Sequence, residues 1–129
     1  MLLVEDDVDA ARLFRRLLQV CGFEVEAVHS GSDAVPAAEQ FEPDCVVSDI
    51  RLPDYDGYEV ARRFRSHPRF RQLPLVALTA FGSRSEAEAA GFDRHLMKPT
   101  GIWILVGVLR DIVGKLDDST QRRRFGSEA

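Results

Sequence analysis

Five short apolar runs, each followed by a stretch of helical period, leave this chain few ways to fold. The runs are Met1–Val4, Phe23–Val28, Asp44–Ser48, Leu75–Leu78 and Arg94–Met97. The first and fourth are apolar throughout and the third nearly so, as expected of central parallel strands covered on both faces. The spacing predicts helices over Val8–Cys21, Ser32–Gln40, Asp56–Ser66, Arg84–Ala90 and Ile102–Leu116. In the first helix Leu13, Leu17 and Cys21 form one stripe with Phe14 and Leu18 beside it; Asp7 suits the N-cap and Gly22 the C′ position. Pro36 is expected to shorten or bend the first turns of the second helix. Strand then helix, five times over, gives a parallel sheet wrapped by helices, because such crossovers are short and right-handed.

The bulk numbers fit one globular domain: 129 residues, 45% apolar and 29% charged. The formal net charge of −4 gives no reason to expect nucleic-acid binding, and the basic run at 121–125 is too short to supply one. The most apolar segment, 101–109, is far too short to span a bilayer. The N-terminal apolar run stops at Val4 and acids follow, so no signal peptide is read and a cytoplasmic location is expected. Cys21 and Cys45 lack metal or redox spacing and read as free buried thiols. Residues 117–129 show no periodicity and are expected to be a disordered tail after a domain spanning 1–116.

In open α/β sheets, sites form beyond the carboxyl ends of the strands. Glu5, Asp6 and Asp7 follow the first strand, Asp49 the third, Thr79 the fourth and Lys98 the fifth. Each is ordinary alone, as a helix cap, a polar terminus or a loop cation. Together the clustered carboxylates raise one another's pKa unless a cation neutralises them. Mg²⁺, or Mn²⁺ in its place, suits such an all-oxygen set. A carboxylate flanked by a divalent cation and the Lys98 ammonium is placed to attack phosphorus, and Thr79 can donate to a phosphoryl oxygen. The basic residues are 15 Arg and only two Lys. A lysine at 98 therefore suggests a compact point charge in a tight site.

The stretches "LLVEDD", "VVSDIRLPDYDGYEV", "LVALTA" and "GFDRHLMKP" resemble the motifs of response-regulator receiver domains of two-component signalling. Asp6 precedes Asp49 by 43 residues and Asp49 precedes Thr79 by 30, spacings that suit that family. The resemblance implies a flavodoxin-like, doubly wound (βα)5 fold with strand order 2-1-3-4-5. It implies Asp49 as phosphoacceptor, with Glu5, Asp6, Asp49 and the Arg51 carbonyl holding the metal. Thr79 and Lys98 would attend the phosphoryl group. His95 falls where relatives carry a switch aromatic, or is simply a polar edge-strand side chain. Arg51 and Phe81 would tune the lifetime of the phosphorylated state by limiting access of water. The donor would be a sensor histidine kinase or phosphotransfer protein, with no separate enzymatic turnover.

Two departures stand out. Thr79 and Lys98 are 19 residues apart, whereas receivers commonly have about three more, so the fourth helix loses roughly one turn. The fifth helix carries more apolar residues than one face can hold, so some, Trp103 above all, should be exposed. That surface invites a homodimer or partner contact on the face made by helix four, strand five and helix five; packing against the neighbouring helix is the alternative. Two other functions fit the residues less well. A phosphohydrolase of the haloacid-dehalogenase type would carry a second acid where Arg51 stands. A degenerate receiver acting as an unphosphorylated scaffold conflicts with the complete strand-end set.

Overall fold

The computed structural model describes residues 1–80, 84–98 and 100–114. The expected tail, the far end of the fifth helix and Phe81 lie outside them. Five parallel strands, β1 (Leu2–Val4), β2 (Glu26–Val28), β3 (Val46–Asp49), β4 (Leu75–Thr79) and β5 (Arg94–Met97), form one sheet in the order β2-β1-β3-β4-β5. The connecting helices are α1 (Val8–Val20), α2 (Ala34–Phe41), α3 (Gly57–Ser66), α4 (Arg84–Ala90) and α5 (Ile102–Gly114).

Alternate strand residues serve opposite faces. Leu3, Val47, Val76 and Leu78 pack with Ala11 and Leu18 of α1 and Leu105, Leu109 and Ile112 of α5. Leu2, Val4, Val46, Leu75 and Ala77 meet Ala38 of α2, Val60 and Phe64 of α3, and Ala87 of α4. Cys45 is fully buried in the first layer, and burial pushes its thiol up to about 11. It is an inert core residue. Cys21 is a free thiol too, only partly buried.

Four local expectations change. The buried stripe of α1 runs through Ala11 and Leu18, with Phe14 and Cys21 packed against the same cluster, while Leu13 is 60% exposed and Leu17 37% exposed. Both stripes repeat at helical spacing, and the smaller Ala11 lets the inner one sit close to the sheet. The second helix begins as a 3-10 turn at Gly31–Asp33, and Pro36 falls in the first turn of α2, where a missing N–H costs little. Strand β3 runs through Asp49 rather than stopping before it, and β2 is shorter than the apolar run suggests.

The short α4, seven residues, is tied down at its C-terminal end. Gly91, at φ +119°, turns the chain into Phe92, whose N–H donates to Ala87 O at 3.0 Å. A Cβ at Gly91 would sit 2.7 Å from Arg65 Cγ. The Arg65 guanidinium donates to Gly91 O, Leu73 O and the Asp93 carboxylate at 3.0, 2.7 and 2.9 Å. One arginine thus fixes the end of α3, the loop into β4 and the turn into β5. Strand β5 keeps its register, with Met97 opposite Thr79, and so delivers Lys98 to the sheet edge.

Candidate functional site

The carboxyl ends of β1, β3, β4 and β5 meet at one place. Glu5 and Asp49 are 3% and 8% exposed, and Thr79 is buried beside them. Lys98 Nζ donates to Glu5 Oε1 and to Asp49 Oδ2, both at 2.9 Å. The Lys98 backbone N–H donates to Thr79 O at 2.8 Å, locking the β5 end to the β4 end. The remaining oxygens are held by main chain: Asp7 N–H donates to Glu5 Oε2 at 3.2 Å and Arg51 N–H to Asp49 Oδ1 at 3.3 Å. Asp7 itself caps α1, accepting from the N–H groups of Asp9 and Ala10, which leaves the acidic pair as Glu5 and Asp6.

Burial pushes the Glu5 carboxyl up, against the pull of Lys98 and the Asp7 amide. Burial also disfavours the Lys98 ammonium, but its hydrogen bonds to Asp49 and Glu5 outweigh that and hold its pKa above the usual lysine value. Lys98 is therefore a fixed cation at neutral pH. Glu5, Asp6 and Asp49 each offer an oxygen within 4.8 Å of the others. Three carboxylates against one ammonium leave two negative charges, which a hard divalent cation on oxygen ligands would balance. The donor set fits Mg²⁺.

The loop after Asp49 is built to hold this geometry, and two of its residues escaped the sequence reading. Gly57 packs its Cα against the Asp49–Ile50 peptide, and its N–H donates to Ile50 O at 2.7 Å. Asp54 accepts from the N–H groups of Gly31 and Ser32 at 2.8 and 2.7 Å, capping the 3-10 turn from a distant loop. The only signal for either was the turn chemistry of "PDYDG".

The other predicted residues stand apart. His95 pairs with Ala77 and so faces the α2–α3–α4 layer. It lines a cavity of about 240 Å³ with Ala87, Glu88 and Phe92, and its Nε2 is buried without a hydrogen-bond partner among the described residues. Trp103 is 74% exposed on α5, as its crowded sequence predicts, and Ile104 beside it is 59% exposed. Among the described residues no helix is long and apolar enough to cross a membrane.

Comparison with known families matches residues 1–110 to the response regulator receiver domain. The polar-differentiation response regulator DivK of Brucella ovis is 28% identical over 117 residues, covering 88% of this chain and 95% of that protein. A putative response regulator from Chloroflexus aurantiacus superimposes with a TM-score of 0.82 at 33% identity, over 88% of this chain and 96% of that one. The receiver domain of a sensor histidine kinase from Pseudomonas aeruginosa PAO1, solved with a magnesium ion coordinated in its active site cleft, gives 0.80 at 33% identity over the same shares.

Proposed function

The chain belongs to the response regulator receiver family, and from that premise we propose that it accepts a phosphoryl group on Asp49 from the phosphohistidine of a sensor kinase or phosphotransfer protein. The observation that carries the proposal is the double hydrogen bond of Lys98 to Glu5 and Asp49, with Asp6 alongside. In the transfer an Asp49 oxygen attacks phosphorus, the bond from phosphorus to the donor imidazole nitrogen breaks, and its electron pair leaves with the ring. Glu5, Asp6, Asp49 and the Arg51 carbonyl would hold Mg²⁺ or Mn²⁺, which supplies positive charge against the phosphoryl oxygens. Lys98 turns from Asp49 to a phosphoryl oxygen, and the Thr79 hydroxyl donates to another. The chain acts as a stoichiometric switch in the cytoplasm rather than a turnover enzyme.

The output face in this reading is α4, β5 and α5. His95 is its switch residue, and Trp103 and Ile104 are its contact surface for a second copy or another protein, without direct contact to nucleic acid. Arg51 and Phe81 slow hydrolysis by screening the acyl phosphate from water. The test is incubation with acetyl phosphate and Mg²⁺, followed by intact mass measurement. One added phosphoryl group on the parent chain and none on Asp49→Asn is the expected result. No adduct on the parent chain would leave the scaffold reading in its place.

A further inference from the structure

Between α2 and α3 lies a cleft of about 540 Å³, a size suited to small ligands. Val35 and Pro36 form one wall, Tyr55 one end, and Arg62, Arg63 and Ser66 the other wall. Glu59, one turn earlier on α3, accepts the Nε–H of both arginines: Arg62 at 3.2 Å on Oε1 and Arg63 at 3.0 Å on Oε2. The Arg63 guanidinium also lies 4.4 Å over the centre of the Tyr55 ring.

Solvated ion pairs at these spacings are common on helices and by themselves mark nothing. Here one carboxylate serves two guanidiniums, and it does so through Nε alone. The terminal nitrogens of both arginines donate to no other group among the described residues. Two adjacent forks, held at their bases by a shared carboxylate and one braced on an aromatic face, suit the geometry of a phosphate. The two guanidiniums keep the Glu59 carboxyl below its usual range, so the trio carries one net positive charge.

We propose that this cleft is a second ligand site, which takes the phosphoryl group of a small phosphorylated metabolite on Arg62 and Arg63 and rests the body of that molecule on Val35 and Pro36. The site uses none of the strand-end residues, so it stands or falls independently of phosphoryl transfer to Asp49. The experiment is an amide NMR titration of the unphosphorylated chain with adenosine 5′-monophosphate, inorganic phosphate and adenosine. Saturable shifts with the nucleotide at millimolar concentration or below are expected at Ser32, Tyr55 and Arg63. Inorganic phosphate binds several-fold more weakly, and adenosine gives no saturable shift. Arg62→Ala with Arg63→Ala weakens nucleotide binding at least about tenfold, the loss of two charge-assisted contacts. These side chains lie on the surface of α3, so the variants keep the fold, which their unchanged amide spectra elsewhere would verify. Equal binding of adenosine, equal binding of inorganic phosphate, or an affinity indifferent to the two arginines would overturn the proposal.

Discussion

Gly57→Ala tests how tightly the start of α3 is built against the peptide that carries Asp49. A Cβ at 57 would lie 2.4 Å from Asp49 O and 2.9 Å from Ile50 Cα. The first distance is about 1 Å inside ordinary contact. Both atoms are main chain, so no rotamer change relieves the clash. Helix α3 cannot retreat freely, because Val60, Ala61 and Phe64 are buried in the core. The Asp49–Ile50 peptide is held from the other side by Ile50 N–H donating to Leu78 O at 3.2 Å. Overpacking of this kind costs about 1–3 kcal/mol, and the helix preference for Ala returns less than about 1 kcal/mol at the first turn. A net loss of about 1–2 kcal/mol follows, a fall in Tm of roughly 3–10 °C for a domain of this size. The forced displacement acts on Asp49, the proposed phosphoacceptor, as well, and an error of about 1 Å can cost on the order of 100-fold in rate. Thermal unfolding and the rate of acetyl phosphate labelling, measured on the same preparation, read both effects. An unchanged Tm with an unchanged rate would refute the packing argument.

Two further substitutions probe the charges. Lys98→Met leaves Glu5 and Asp49 buried together without their cation. Stability should fall by about 2–3 kcal/mol in denaturant titrations, somewhat under the cost of breaking a fully buried pair because Lys98 is partly exposed. Added Mg²⁺ should restore much of it; a variant as stable as the parent in the absence of metal would contradict the assignment. Asp54→Asn tests the cap on the 3-10 turn. Partial desolvation works against the Asp54 carboxylate, but the hydrogen bonds from Ser32 and Gly31 outweigh it and hold its pKa well below the ordinary 3.8. With the folded pKa depressed, the stabilisation is present above the unfolded value and is lost as pH falls through and below it. The gap in stability between parent and variant should therefore be widest near neutral pH and close in acid. A gap that widens in acid would reverse the sign.

The strand-end site was legible because each member sits where an apolar run stops, and the βαβ rule puts all such ends on one edge. The order of the strands and the roles at that edge came from motif resemblance, not from periodicity. What the sequence hid was set by contacts distant in the chain. Leu13 and Leu17 make as regular a stripe as Phe14 and Leu18, and only the sheet decides which turns inward. The 3-10 turn before α2 is capped by Asp54, 23 residues beyond Gly31. Arg65 reads as one more exposed arginine until Gly91, Leu73 and Asp93 close around it. The shortened α4 leaves Lys98 in place, since that clamp holds the turn into β5 and β5 keeps its register with β4.

The central claim is that the strand ends form a metal-assisted phosphoacceptor at Asp49. Its most direct test is to label the chain with acetyl phosphate, reduce the acyl phosphate with borohydride and map the modified residue by peptide mass. Reduction at Asp49 alone, abolished by chelation of the divalent metal and by Lys98→Met, is the predicted result. Modification at another residue, or undiminished labelling of Asp49 under chelation, would contradict it.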